Sequence, residues 1–272
     1  MTCRKIINQS GFTLIEIITT VLIVSIFSAI MLNLFSDSLI KSSDALRNIF
    51  RSNDLSKVMA NINSDYIPYP RWKASTFYSS TNPTSKILPT GMNGRFYICK
   101  TGGTSGPSEP KWYDSADTLD GSVTWNAGVW VASTQYNLGD IVIPTSPNGH
   151  FYRCVTPGTS NPSTQPSWPW PPTGIAPVSE IPPGTAQWME LLVYLNQRIG
   201  PANEQNNTWY GKYYVVANRF VKFDSNNTIQ LITGIDHQNV LEVKIQSVDK
   251  NPNGTDQPGE QILTTLFTAN EN

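Results

Sequence analysis

From Phe12 to Ile67 the chain contains neither proline nor glycine, and apolar residues recur at helical spacing throughout. Its first part, Ile17–Phe35, is an uncharged run of 19 residues, long enough to cross a bilayer as a helix. Further on, Leu39, Ile40, Leu46, Ile49, Phe50, Val58, Met59, Ile62 and Tyr66 form a stripe, with Asp37, Lys41, Asp44, Arg47, Arg51, Asp54 and Lys57 between them as a solvated face. The pattern predicts one helix over 12–67 that spans the membrane over 12–35 and packs its later stripe on a sheet. Pro68 and Pro70 end it.

The period then changes. "NGRFYICKTGGTSGPSEPKW", from Asn93, matches "NGHFYRCVTPGTSNPSTQPSW", from Asn148, at 13 positions with one insertion. "WKASTFY" from Trp72 matches "WVASTQY" from Trp130, and Trp125 corresponds to Trp188. Short β-type runs between Gly, Pro, Ser and Thr clusters make two small β modules, 68–128 and 129–190. From Leu191 the runs "LLVYL", "WYGKYYVVANRFVKF", "TIQLIT", "VLEVKIQSV" and "ILTTLFTA" read as antiparallel strands of a region 191–272. The fold class predicted is α+β: a long N-terminal helix on a C-terminal antiparallel sheet, with an inserted all-β lobe of two duplicated modules, separable from the rest.

Composition narrows the functions. A net charge of -1 with 14% charged residues leaves no basic footprint for nucleic acid. Pro 20, Gly 18 and Trp 8, concentrated beyond residue 65, indicate a turn-rich region with aromatic anchors. Arg4 and Lys5 before the apolar run favour a cytoplasmic N-terminus and an exported remainder.

Glu16 stands near the start of that apolar run, where a carboxylate costs roughly 2.5–3.5 kcal/mol on insertion scales. A plain signal anchor does not explain it. The basic leader 1–11 ending in Gly11, then Phe12, Thr13, Leu14, Ile15, Glu16 and an apolar helix, resembles the N-terminus of the type IV pilin superfamily, which includes pseudopilins. The resemblance implies that a prepilin peptidase in the membrane cuts after Gly11 and that Phe12 becomes the N-methylated N-terminus. It also implies that Glu16 faces the N-terminal amine of a neighbouring pilin or pseudopilin. The carboxylate would then mark one axial register, because pairing offsets part of its desolvation. The implied location is the inner membrane before assembly, then an extracellular or periplasmic filament. Asn33 stands where many major pilins carry a helix-breaking proline.

Other candidate chemistry lies beyond the helix. Asp249, Asn251, Asn253, Asp256 and Glu260 fit the oxygen-ligand spacing of a calcium loop, against the plainer reading of a polar hairpin. The pattern "WVASTQYNLGDIVIPTSPNGHFYRC" is similar to small chitin-binding-type modules and phage tail surface repeats, which implies surface glycans as partners, and Trp168 and Trp170, in the proline-rich "PSWPWPPTG", are the exposed pair that could stack sugar rings. Repeated tryptophans also fill the cores of such modules. Cys99 and Cys154 occupy equivalent positions, as two buried thiols or as a disulfide. His150 and His237 belong to no nucleophile or metal motif, His150 reads as a surface residue, and no phosphate loop is present. The sequence reads as a non-enzymatic subunit of a type IV pilus-like filament, a minor pilin at low copy or at the tip. Its alternatives are a glycan-binding surface adhesin on a pilin carrier and a pseudopilin of a type II secretion system.

Overall fold

The computed structural model describes residues 13–81, 83–91, 93–168, 176–206, 208–232 and 240–269, without the side chains of residues 33, 34 and 36–45. A helix, α1, runs from Leu14 to Tyr66. The chain divides into two compact units, Met1–Asn53 and Asp54–Asn272.

In the first unit, Leu14–Leu32 has a mean hydropathy of 2.4 and none of it is buried, as befits a segment whose solvent is lipid. The stripe predicted along the helix divides at the unit boundary. Leu46, Ile49 and Phe50 are exposed, whereas Leu55, Val58, Met59 and Ile62 are buried. Packing on the sheet therefore begins at Leu55, later than the periodicity implied.

Among the described residues, the strands all lie in the second unit. Residues 72–127 contribute β1 (Phe77–Tyr78), β2 (Lys86–Ile87), β3 (Tyr97–Thr101), β4 (Gly103–Thr104), β5 (Thr118–Asp120) and β6 (Val123–Ala127). Residues 130–190 contribute β7 (Gln135–Tyr136), β8 (Ile141–Val142), β9 (Tyr152–Thr156), β10 (Gly158–Thr159), β11 (Val178–Ser179) and β12 (Gln187–Glu190). The first set forms a four-stranded sheet in the order β2-β3-β6-β5 and a β1-β4 ladder. The second forms a sheet in the order β8-β9-β12-β11 and a β7-β10 ladder. Each set has its own aromatic core, one around Tyr97 and Trp125, the other around Tyr152 and Trp188.

"LLVYL" is not a strand. Leu191–Ile199 forms a helix, α2, with Leu191, Leu192, Leu195 and Ile199 buried at helical spacing. Glu190 caps it by accepting a hydrogen bond from Val193 N at 2.9 Å, and Gly200, at φ 92°, ends it. Beyond it lie β13 (Gln205–Asn206), β14 (Tyr213–Phe223), β15 (Ile229–Leu231), β16 (Val240–Lys250) and β17 (Asp256–Thr268). They pair antiparallel in the order β13-β14-β16-β17, with β15 beside β14. Tyr213, Val215, Leu241, Val243, Ile245 and Phe267 from this sheet enclose Leu55, Val58, Met59 and Ile62 of α1.

The modules are not set apart from this core. Phe96, Ile141, Ile143, Phe151 and Leu191 form one buried cluster, against which Tyr66, Ile67, Tyr69 and Tyr194 pack. A Cβ on Gly128, between the modules, would stand 2.1 Å from the Phe96 ring, so glycine is required for the close approach. Lys86 in the first module pairs with Asp140 in the second at 3.3 Å.

One side chain links these parts. Asp65 accepts from Arg153 Nη1 at 2.7 Å, Arg198 Nη1 at 3.0 Å and the Tyr210 hydroxyl at 2.7 Å. Burial first, and then this bond to Asp65, push the Tyr210 pKa up, so the hydroxyl stays a donor. A carboxylate in the last turn of a helix opposes the macrodipole, and the two guanidinium groups reverse that penalty. Asp65→Asn should lower the unfolding free energy of the detergent-solubilised chain by about 2–3 kcal/mol, because two partly buried arginines lose their counter-charge. Urea unfolding followed by tryptophan fluorescence measures this, and an unchanged midpoint would contradict it.

Candidate functional site

The membrane helix places Glu16 in its first turn, where the unpaired backbone N–H groups favour a negative charge. Thr19 and Thr20 turn their hydroxyls back to the helix, Thr20 Oγ1 donating to the Glu16 carbonyl at 2.8 Å and Thr19 Oγ1 to the Ile15 carbonyl at 2.9 Å. These two hydroxyls in the apolar turns are thereby satisfied within the helix. Among the described residues the Glu16 carboxylate makes no ion pair, so the charge still needs a partner. Gly11 and Phe12 lie outside the described residues.

The modules contain a pair of buried charges that the sequence reading missed. Asp120 Oδ2 accepts from the indole N–H of Trp72 at 2.7 Å and of Trp125 at 3.1 Å, while Oδ1 accepts from Gly106 N at 2.7 Å. Glu180 Oε1 accepts from Trp130 at 2.7 Å and Trp188 at 2.9 Å, while Oε2 accepts from Asn161 N at 3.2 Å. Both acids are buried, and both are enclosed by donors. The arrangement fixes tryptophans and offers no open face for catalysis. A signal was present: each module carries an acid shortly before its final tryptophan. The separations, five residues for Asp120 and eight for Glu180, put the two acids out of alignment.

Matching bonds surround these acids. Asn93 Nδ2 donates to Tyr97 and Asn148 Nδ2 to Tyr152, at 3.1 and 2.8 Å. Trp112 donates to Glu109 at 2.9 Å and Trp168 to Gln165 at 3.0 Å. Trp168 is partly buried, with its ring 4.5 Å from Tyr152 and 5.9 Å from Trp188. It belongs to the margin of the core and is not an exposed stacking platform, while Trp170 lies outside the described residues.

Cys99 and Cys154 are free thiols in separate cores. They donate to the Thr101 and Thr156 carbonyls at 3.4 and 3.2 Å. Burial pushes both pKa values up, that of Cys154 to about 11, so both remain protonated and unreactive at neutral pH. His150 is buried rather than on the surface, with Nδ1 3.2 Å from Glu190 Oε1. The carboxylate that caps α2 thus also holds His150. His237 lies outside the described residues.

The 249–260 segment does not fit calcium. Asp249 lies within β16, paired with Gln257, and Asn251 Oδ1 is occupied by Asn253 N at 3.0 Å and Thr255 N at 3.1 Å. Lys212 and Lys250 pair with Asp256, and hydrogen bonds from these lysines hold its pKa well below the usual carboxylate range. Asn253 and Glu260 are exposed. No group of three His, Cys, Asp or Glu side chains placed to hold a metal forms among the described residues. The loop is a lysine-clamped hairpin, the plainer of the two readings.

Residues 6–32 match the prokaryotic N-terminal methylation motif. The match, together with the exposed apolar helix it covers, supports a type IV pilin or pseudopilin-like subunit with a membrane-anchored precursor, and implies contact with other pilins and with the prepilin peptidase. No curated protein and no solved structure matches the chain.

The buried acids give a direct test. Glu180→Leu leaves two buried indole donors without an acceptor and should cost about 3–5 kcal/mol, whereas Glu180→Gln keeps an acceptor oxygen and should cost less. Denaturant unfolding of the two variants would show the difference. Equal losses would mean that volume alone accounts for the role of Glu180.

Proposed function

We propose that the chain is a minor pilin, a low-copy subunit of a type IV pilus-like filament in which the duplicated modules form a rigid distal body. The observation that carries this reading is the methylation motif over 6–32, with Glu16 in the first turn of an unburied apolar helix. Cleavage after Gly11 would free the Phe12 amine, the cation that a carboxylate at Glu16 needs in an apolar surrounding. The helix end packed on an antiparallel sheet gives the subunit a folded head. The size of the 68–190 region favours a low-copy position, because two more sheets on every subunit would crowd a continuous filament.

The modules are proposed as one duplicated unit on the strength of their matching strand order and tryptophan-carboxylate bonds. Most of their described tryptophans serve the interior, as the packing of Trp168 illustrates, and this favours a structural role for the modules over the adhesin reading. The lysine-clamped loop likewise gives no support to calcium binding.

Mass spectrometry of the protein recovered from filaments should find an N-terminal Phe12 bearing a methyl group. Mature protein that begins at Met1 would exclude the pilin reading. Glu16→Val should insert in the membrane at least as well as the parent, since a costly charge is gone, yet enter filaments several-fold less. Quantitative immunoblotting of sheared filaments and membranes would measure both, and normal incorporation would refute the register role of Glu16.

A further inference from the structure

The chain contains the dipeptide Asn-Gly three times, at Asn93–Gly94, Asn148–Gly149 and Asn253–Gly254. Glycine lacks the side chain that hinders approach of its backbone nitrogen to the preceding carboxamide, so this dipeptide is intrinsically prone to cyclise. The fold treats the three copies differently. Asn93 Nδ2 donates to the Tyr97 hydroxyl at 3.1 Å while its Oδ1 accepts from Arg95 N at 3.1 Å. Asn148 repeats both bonds, to Tyr152 at 2.8 Å and from His150 N at 3.1 Å. Tyr97 and Tyr152 are buried, so each carboxamide is held at both ends against a fixed ring. Asn253 is exposed at the tip of the β16–β17 hairpin, and its carboxamide makes no hydrogen bond among the described residues. A Cβ built on Gly254 meets nothing within 4 Å, so the surroundings leave room for ring closure. One hairpin bond must open first, from Gly254 N to the Asn251 carbonyl at 2.9 Å.

We propose that Asn253 is a site of spontaneous deamidation in the folded protein, whereas Asn93 and Asn148 are protected. The Gly254 nitrogen bonds to Cγ of Asn253, the Cγ–Nδ2 bond breaks, and the proton from Gly254 N leaves with the amide nitrogen as ammonia. Water then adds to either carbonyl of the succinimide and opens it to aspartate or isoaspartate. Water is the only co-reactant. The product changes the net charge of the chain from -1 to -2 and places a further carboxylate at the hairpin tip, between Asp249 and Asp256. The isoaspartate form also lengthens the backbone of the hairpin tip by one methylene.

The test is to age the detergent-solubilised full chain in warm, mildly alkaline buffer, with and without urea, and to follow the three Asn-Gly peptides by mass spectrometry. In the folded chain, the mass gain of an amide-to-acid exchange should accumulate at Asn253 many-fold faster than at Asn93 and Asn148. In urea the three should react at comparable rates, and Gly254→Ala should slow the reaction at Asn253. If Asn253 reacts in urea but stays intact in the folded chain, or if all three react equally in the folded chain, the proposal is overturned.

Discussion

A carboxylate in the last turn of a helix faces carbonyl dipoles of its own sign, and at Asp65 the surrounding structure is arranged to overcome that repulsion. Arg153 comes from β9, Arg198 from α2, and Tyr210 from the segment before β14. Three parts of the chain, distant in sequence, thus converge on one side chain at the end of α1. The neighbouring aromatic groups extend the contact. The Arg153 and Arg198 guanidinium groups lie over the Tyr194 ring, and Arg198 stacks 3.9 Å from the Trp209 ring centroid. Apolar burial around Leu55–Ile62 is non-directional, so it can hold the helix against the sheet without fixing where the modules sit. The charge-assisted bonds at Asp65, with defined donors on each side, supply that direction.

The modules use the same principle internally. Each encloses a carboxylate with two indole N–H groups and one backbone N–H, so the desolvation cost of the charge is offset by three donors. Their differences fall where each meets its neighbours. Gly128 N donates to the Phe96 carbonyl and Leu191 N donates to the Phe151 carbonyl, at 2.9 and 3.0 Å. The first module thus ends on a glycine that admits the Phe96 ring, and the second ends on the first residue of α2. Arg95 with Asp114 in the first module gives way to His150 with Glu190 in the second, where the acid also caps that helix.

Much of this was legible in the sequence, for identifiable reasons. The absence of proline and glycine from Phe12 to Ile67 gave the helix, and "NGRFYICK" and "NGHFYRC" aligned the strands β3 and β9. The motif over residues 6–32 stood out because its register is a local pattern. What escaped depends on contacts distant in sequence. "LLVYLNQRIG" satisfies both strand and helix patterns, and the Glu190 cap and buried Leu195 and Ile199 decide between them. Asp65 resembles any charge on a solvated helix face until Arg153, 88 residues away, is brought to it. The hairpin at 249–256 matched a ligand spacing, but spacing does not reveal that Lys212 would neutralise Asp256.

A helix end bonded to both the modules and the sheet ties the parts of Asp54–Asn272 to one another. The account therefore makes Asp54–Asn272 one cooperative body. Native-state hydrogen exchange of the full chain tests this most directly, by comparing the opening free energies of amides in β9, in β14 and β16, and in the helix from Leu55 to Tyr66. The account predicts a single shared opening free energy for the most protected amides of all three regions. Modules that open at a distinctly lower free energy, while the helix and sheet stay closed, would contradict it.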